Sequence, residues 1–240
     1  MFNNLDDKNI LITGASDGIG KQIALSYGKK CKNLIAVGRS QSALEDLDLQ
    51  LKDAKCNRIL VPMDLTNYQL ISDLHLELKK RLEKLDVLIL NAATIGELTP
   101  ITHIDENEWN NAFSLNVTSN VLILKIFEDL IQKSNNAQIM ILTSDLINKK
   151  KPYWGIYSAS KAAMEKIAYS YSSEICNTNI KLNLVDPGSV NTKLRIKAYP
   201  GEDKKSLTPP EDLNEFFLDI IFNKNYNNGD LITYEDWKSK

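Results

Sequence analysis

Seven short runs of aliphatic and β-branched residues alternate with longer stretches of helical periodicity along almost the whole chain, and this alternation constrains the fold more than any other feature. The runs are Asn9–Thr13, Asn33–Gly38, Arg58–Pro62, Val87–Leu90, Ile139–Thr143, Lys181–Val185 and Asp230–Thr233, each read as a strand. Between them Leu44, Leu47, Leu51 and Ala54 recur at helical spacing, and Leu70, Leu74, Leu78 and Leu82 recur every fourth residue. A run such as Val87-Leu88-Ile89-Leu90 has no polar alternation. It needs cover on both faces, which a parallel sheet between two helical layers supplies. Repeated strand–helix–strand units therefore predict an α/β chain with one doubly wound parallel sheet of about seven strands. No Pro- or Gly-rich linker interrupts the pattern, and 240 residues suit one α/β domain, so residues 1–240 are read as a single domain.

Composition removes several classes of function. The net charge is −2, which lacks the basic excess of a nucleic-acid binder. No stretch approaches the ~20 apolar residues that span a bilayer. The start, Met-Phe-Asn-Asn-Leu-Asp-Asp-Lys, has neither the basic nor the apolar part of a secretory signal, so a cytoplasmic protein is expected. Cys31, Cys56 and Cys176 are odd in number and read as free thiols, and His75 and His103 have no partner at ligand spacing, so no metal is expected.

After the first strand comes Thr13-Gly14-Ala15-Ser16-Asp17-Gly18-Ile19-Gly20, leading into a helix. Gly14 permits a tight turn, Gly18 lets the backbone approach a pyrophosphate, and Gly20 allows close helix–sheet packing. The free N–H groups of the helix N-terminus suit phosphate. The second strand ends Val37-Gly38-Arg39-Ser40, without the carboxylate that would hold a ribose 2′-hydroxyl. A guanidinium at Arg39 pairs instead with a 2′-phosphate, so NADP is expected over NAD. Asp64, ending the third strand, is a candidate acceptor for the adenine amino group, or with Thr66 a candidate helix cap.

Tyr157 and Lys161 stand at i and i+4 of a predicted helix, one turn apart on the same face. A neighbouring ammonium favours a phenolate and is expected to bring the phenol toward working pH. Ser144, thirteen residues upstream, ends a buried strand where its hydroxyl can hold a substrate oxygen. The stretch Pro187–Pro210 shows no periodic pattern and follows a strand end, where α/β proteins place binding loops.

Together these elements make the chain resemble the classical short-chain dehydrogenase/reductase family, a Rossmann-fold family, over essentially its full length. The matching elements are the Thr13-to-Gly20 turn, Asn91-Ala92-Ala93, Asn116, Ser144, Tyr157, Lys161 and Pro187-Gly188 with Thr192. Gly38-Arg39 and Tyr199-Pro200-x-Glu202-Asp203 further resemble a bacterial subgroup whose substrate is unassigned. The resemblance implies Tyr157 as general acid for carbonyl reduction and base in reverse. It implies that Lys161 lowers the Tyr157 pKa and holds the cofactor ribose, that Ser144 bonds the substrate oxygen, and that Asn116 anchors a water relay to Lys161. It places Ser16, Asp17, Ile19, Leu65, Asn91 and Ala92 along the dinucleotide, and Pro187, Gly188, Val190 and Thr192 at the nicotinamide.

The implied activity is NADP(H)-dependent interconversion of a carbonyl and an alcohol on a small molecule, in a homodimer or homotetramer. Two alternatives stand beside it: a 3-ketoacyl thioester reductase, and a nucleotide-sensing regulator without chemistry. For the former, Lys149-Lys150-Lys151 with Lys193, Arg195 and Lys197 would attract an acidic substrate or an acyl carrier protein. Three departures from the family pattern stand out: Ala93 replaces a glycine, Asp17 sits where a basic residue is common, and no Gly-Gly tail follows the last strand.

Overall fold

A computed structural model describes residues 5–223 and 225–239. In chain order the elements are β1 (Asn9–Thr13), α1 (Gly18–Gly28), β2 (Asn33–Gly38), α2 (Gln41–Gln50), β3 (Asn57–Pro62), α3 (Tyr68–Arg81), β4 (Val87–Leu90), α4 (Glu106–Phe113), α5 (Ser119–Ile131) and β5 (Ala137–Leu142). They continue with α6 (Gly155–Glu174), β6 (Ile180–Asp186), α7 (Lys193–Ala198), α8 (Asn214–Phe222), β7 (Leu231–Thr233) and α9 (Tyr234–Lys238). The strands form one seven-stranded sheet in the order β3-β2-β1-β4-β5-β6-β7, and every pairing is parallel. The order reverses between β1 and β4, so the crevice at their C-terminal ends is the topological switch point.

Side chains alternate across the sheet and feed two core layers. Ile10, Ile12, Leu34 and Val185 pack with Ile23 of α1, Leu44 of α2 and Phe216 of α8 on one face. Leu11, Ile35, Leu88 and Leu184 pack with Ile71 of α3, Phe127 of α5 and Met164 of α6 on the other. All four residues of β4 are buried, as the unbroken apolar run requires.

Two periodic stretches fold differently from the leucine pattern. In α3 the buried residues are Ile71 and Leu78, whereas Leu70 is exposed. A step of four residues turns ~400°, so a four-spaced row drifts around the helix while the sheet covers one fixed stripe. The helix read through Ala54 ends at Gln50, and Leu51 closes it in the turn toward β3. Pro187–Pro210 is also more ordered than its sequence suggests. Thr192 caps α7 by accepting from the Arg195 N–H at 3.2 Å, and Val190 bridges to Thr208.

At the edge of the sheet away from the switch point, three asparagines stand side by side in register on β1, β2 and β3. Asn33 donates to the side-chain oxygen of Asn9 at 2.6 Å, and Asn57 donates to that of Asn33 at 2.9 Å. Beside them the buried Asp86 accepts from the Asn9 backbone N–H at 3.0 Å and the Ser134 hydroxyl at 2.7 Å, with Lys84 at 2.9 Å. Beyond β7, Trp237 of α9 packs on Phe216 at 5.7 Å and donates to Asp219 at 3.1 Å.

Asn33→Ala leaves an acceptor on Asn9 and a donor on Asn57 unpaired, and should lower unfolding free energy by about 1–3 kcal/mol in denaturant titrations, at constant m-value. Burial alone would raise the Asp86 pKa, but the Asn9 N–H, Lys84 and Ser134 outweigh it and hold the group below the usual value. Its stabilisation is therefore complete above the unfolded carboxylate pKa of ~4 and lost as pH falls toward the lower folded value. Acid titrations of stability should show a shallower decline in Asp86→Asn than in the parent chain.

Candidate active site

The site begins with a polar clasp between the two central strands. Thr13, at the end of β1, accepts the backbone N–H groups of Asn91 at 3.0 Å and Ala92 at 3.1 Å through its hydroxyl. Asn91 returns its side-chain amide to the carbonyls of Thr13 at 2.9 Å and Gly14 at 3.2 Å. The turn that follows needs glycine for its backbone: Gly14 has φ +69° and Gly18 φ +54°, both in the left-handed region. Gly20 is required by space, since a Cβ there would meet the Gly14 carbonyl at 2.3 Å and the Asn91 amide at 2.4 Å. Its close approach is to the turn itself, a tighter constraint than the helix–sheet packing expected.

The N-terminus of α1 is left open. Asp17 is the N-cap residue but makes no side-chain cap bond, and the first turn carries no acidic side chain. Its carboxylate lies 3.4 Å from Lys193 instead. The first-turn N–H groups therefore keep their partial positive charge for an anion. Arg39 stands exposed at the end of β2 and lines the same cavity as Gly14, Ser16, Asp17, Gly18 and Ile19. Asp64 does not line it, although its neighbours Met63 and Leu65 do. The Asp64 carboxylate folds back on Thr66, accepting its N–H at 2.9 Å and its hydroxyl at 2.8 Å. Burial opposes charge on Asp64, but Thr66 and the nearby Arg39 together lower its pKa. Neither Asp64 nor Thr66 caps α3, whose N-cap is Asn67 without a side-chain bond.

At the other end of the cavity stand Ser144, Tyr157 and Lys161, with Pro187, Gly188, Val190 and Thr192 along one side. Tyr157 and Lys161 share a face of α6, and the Lys161 ammonium lies 5.8 Å from the centre of the Tyr157 ring. That ammonium donates to the Leu142 carbonyl at 2.8 Å, which pins it to the end of β5. Ser144 follows that strand and its hydroxyl accepts from the Leu146 N–H at 3.3 Å.

Burial pushes the Tyr157 pKa well up, with Asp186 and Asp145 adding to the rise and only Ser144 opposing it. Burial also pushes Lys161 down, to about 8. Desolvation penalises both charged forms, and here it is the largest influence on each.

Asn116 occupies a π turn, Ser114–Thr118, between α4 and α5, a distortion frequent at functional sites. Its side chain does not reach the cavity. The amide exchanges bonds with the backbone of Thr94 at 2.9 Å and 2.8 Å and donates to the Ser160 hydroxyl at 2.9 Å. It thus ties the loop after β4 to α6, one residue before Lys161.

Several cavity residues were not singled out by the sequence: Met63, Leu115, Thr143 and Leu146 also line it. Thr13 was quoted only as the start of the turn, although its hydroxyl organises the clasp. A buried Thr ending an apolar run was the available signal. Trp154 and Tyr199 close the reacting end, stacked at 5.3 Å with 27° between their planes.

Among the described residues no helix is long and apolar enough to cross a membrane. The chain is 27% identical over 230 residues to an uncharacterized oxidoreductase of Staphylococcus aureus (strain MW2), covering 95% of this chain and 97% of that one. It is 25% identical over 217 residues to the uncharacterized oxidoreductase YciK of Escherichia coli (strain K12), covering 89% and 86%. Its fold superposes on a Pseudomonas syringae structure assigned to the short chain dehydrogenases, with TM-score 0.91, 26% identity and 96% of each chain covered. A Shigella flexneri structure of the same assignment, complexed with NADP, superposes with TM-score 0.90 at 24% identity, over 98% of this chain and 100% of that one. The model of the short chain dehydrogenases matches residues 8–203, well over half of the chain, and with the parallel sheet and its glycine turn this shows that the protein belongs to the short chain dehydrogenase family.

Proposed function

We propose that the protein is an NADPH-dependent reductase of an aldehyde or ketone, running in reverse as an alcohol dehydrogenase. One observation carries the reading: a single cavity joins an uncapped helix N-terminus beside Arg39 to the paired hydroxyls of Ser144 and Tyr157. The residues at the first end fit a phosphorylated dinucleotide, because the glycine turn leaves room for it and the open N–H groups of α1 suit its pyrophosphate. Arg39 is the residue for a 2′-phosphate, with Asp64 turned onto Thr66 and away from the cavity.

When bound, NADPH supplies the hydride, two electrons with one hydrogen nucleus, to the carbonyl carbon. The chain supplies the proton. Ser144 donates to the substrate oxygen and orients it toward Tyr157. Because burial raises the Tyr157 pKa, the phenol is protonated at neutral pH, which is the form a general acid for reduction requires. Tyr157 passes its proton to the oxygen as negative charge develops there, and Lys161 beside the ring stabilises the phenolate left behind. Net, carbonyl, NADPH and one proton become alcohol and NADP. Asn116 acts at one remove, holding α6 and the loop after β4 in register. Its side chain is occupied by that clasp, so a water relay to Lys161 would rest on the main chain of the π turn.

Tyr157→Phe should lower kcat for carbonyl reduction by at least about 100-fold while leaving the NADPH Kd unchanged by fluorescence titration. Near-normal turnover in this variant would sink the mechanism. Arg39→Asp removes a charge-assisted contact worth about 1.5–3 kcal/mol, so NADPH binding should weaken by roughly 10- to 100-fold with little change for NADH. Equal weakening for both cofactors would remove the 2′-phosphate assignment.

A further inference from the structure

The walls around Tyr157 carry information about the substrate's charge. Trp154 is the aromatic neighbour of the phenol, edge-on at 5.8 Å and 74° between planes, and only 5% exposed. Leu146 continues this wall, with Ala198 and Tyr199 packed against it from the loop after β6. The backbone is bent to place the indole there: Tyr153 takes φ +73°, a left-handed conformation that costs a non-glycine residue energy. Tyr153 itself points outward while Trp154 points in.

The cations around this end are already engaged. Arg195 makes two bonds to Glu202, at 2.7 Å and 2.6 Å, and its guanidinium lies 4.2 Å over the Tyr199 ring. Lys193 faces Asp17, and Lys149 is paired with Asp145. Lys151 sits over the Tyr199 ring at 4.2 Å and the Trp154 ring at 5.5 Å, touching the Tyr199 hydroxyl. Behind Tyr157 the buried Asp186 accepts the Gly188 N–H at 2.9 Å and adds a carboxylate to the region. A substrate carboxylate or phosphate seated against this wall would lose its water and find none of these four cations free to pair with it. Burying a charge unpaired is the costliest outcome available to a ligand.

We propose that the substrate is an uncharged, apolar aldehyde or ketone seated against Trp154, and that this indole sets specificity. The inference rests on the carbonyl-reductase reading above and narrows it. It runs against the role that Lys149 and Lys151 were expected to play in attracting an acidic substrate.

The test compares matched pairs on the full chain with saturating NADPH: 4-formylbenzoate against its methyl ester, and succinic semialdehyde against its methyl ester. Each pair keeps the aldehyde and exchanges a carboxylate for its neutral methyl ester. The esters should show at least about tenfold higher kcat/KM, the effect of one unpaired charge of roughly 1.4 kcal/mol or more. Trp154→Ala should raise the ester KM by about tenfold and leave the NADPH Kd unchanged, while Trp154→Phe, which keeps a ring, should stay within about threefold of the parent. Equal or better turnover of the acids would overturn the inference and leave the reductase reading standing. An ester KM unmoved by Trp154→Ala, in a variant that still binds NADPH, would overturn the role given to the indole. Turnover of none of the four compounds by NADPH-bound protein would overturn the reductase reading and this inference with it.

Discussion

The clasp between Thr13 and Asn91 is the interaction on which the functional end of the molecule depends. It joins β1 to β4 where the strand order reverses, and where the sheet by itself would leave a crevice with unpaired backbone groups. The Thr13 hydroxyl satisfies two N–H groups beyond β4, and the Asn91 amide satisfies two carbonyls of the turn after β1. With those groups paired, the turn can leave the first N–H groups of α1 open without leaving the rest of the loop unsatisfied. Gly20 belongs to the same arrangement, because any side chain there would collide with both partners of the clasp.

A second polar device secures the reacting end. Asn116 joins Thr94 to Ser160, so the loop after β4 and the start of α6 move together. Lys161 is pinned to the Leu142 carbonyl, which ties α6 to the end of β5. The phenol, the ammonium and the serine hydroxyl are thus positioned by two strands and one helix, and the loop after β6 lines one side of the cavity. That loop is held by Arg195 with Glu202 and by stacking of Tyr199 on Trp154. Partly buried bidentate pairs of this kind orient groups more than they stabilise the fold.

Much of this was legible in the chain. Unbroken apolar runs announced strands covered on both faces, and the strand before the glycine turn placed that turn at a helix N-terminus. Arg39, Ser144, Tyr157, Lys161 and Thr192 could all be assigned to one edge of the sheet, because a parallel sheet gathers the ends of its strands on one side. What could not be read was direction and depth. Leu70 fits the four-residue row of α3 but faces water, while Ile71 beside it is buried. Asp64 and Asn116 lie at the expected ends of their elements, yet their side chains turn to Thr66 and to Thr94 with Ser160. The order within Pro187–Pro210 rests on a capping threonine, a bridge, one ion pair and a ring stack, contacts with no period to leave in the chain.

Periodicity in the chain settles the class of fold and the edge of the sheet that carries the glycine turn, while helical spacing of Tyr157 and Lys161, with the family resemblance, points to the candidate groups at that edge. The depth at which Tyr157 is buried and the character of its surroundings come only from the packing of the fold. Spacing brings Lys161 within reach of the phenol, but the balance between their attraction and their desolvation depends on how deeply both are buried. Burial is a property of the packed elements around them: Trp154 and Leu146 from one side, the ends of β5 and β6 from the other. The same holds for Lys149, Lys193 and Arg195, whose charges look free in the chain and are paired in the fold.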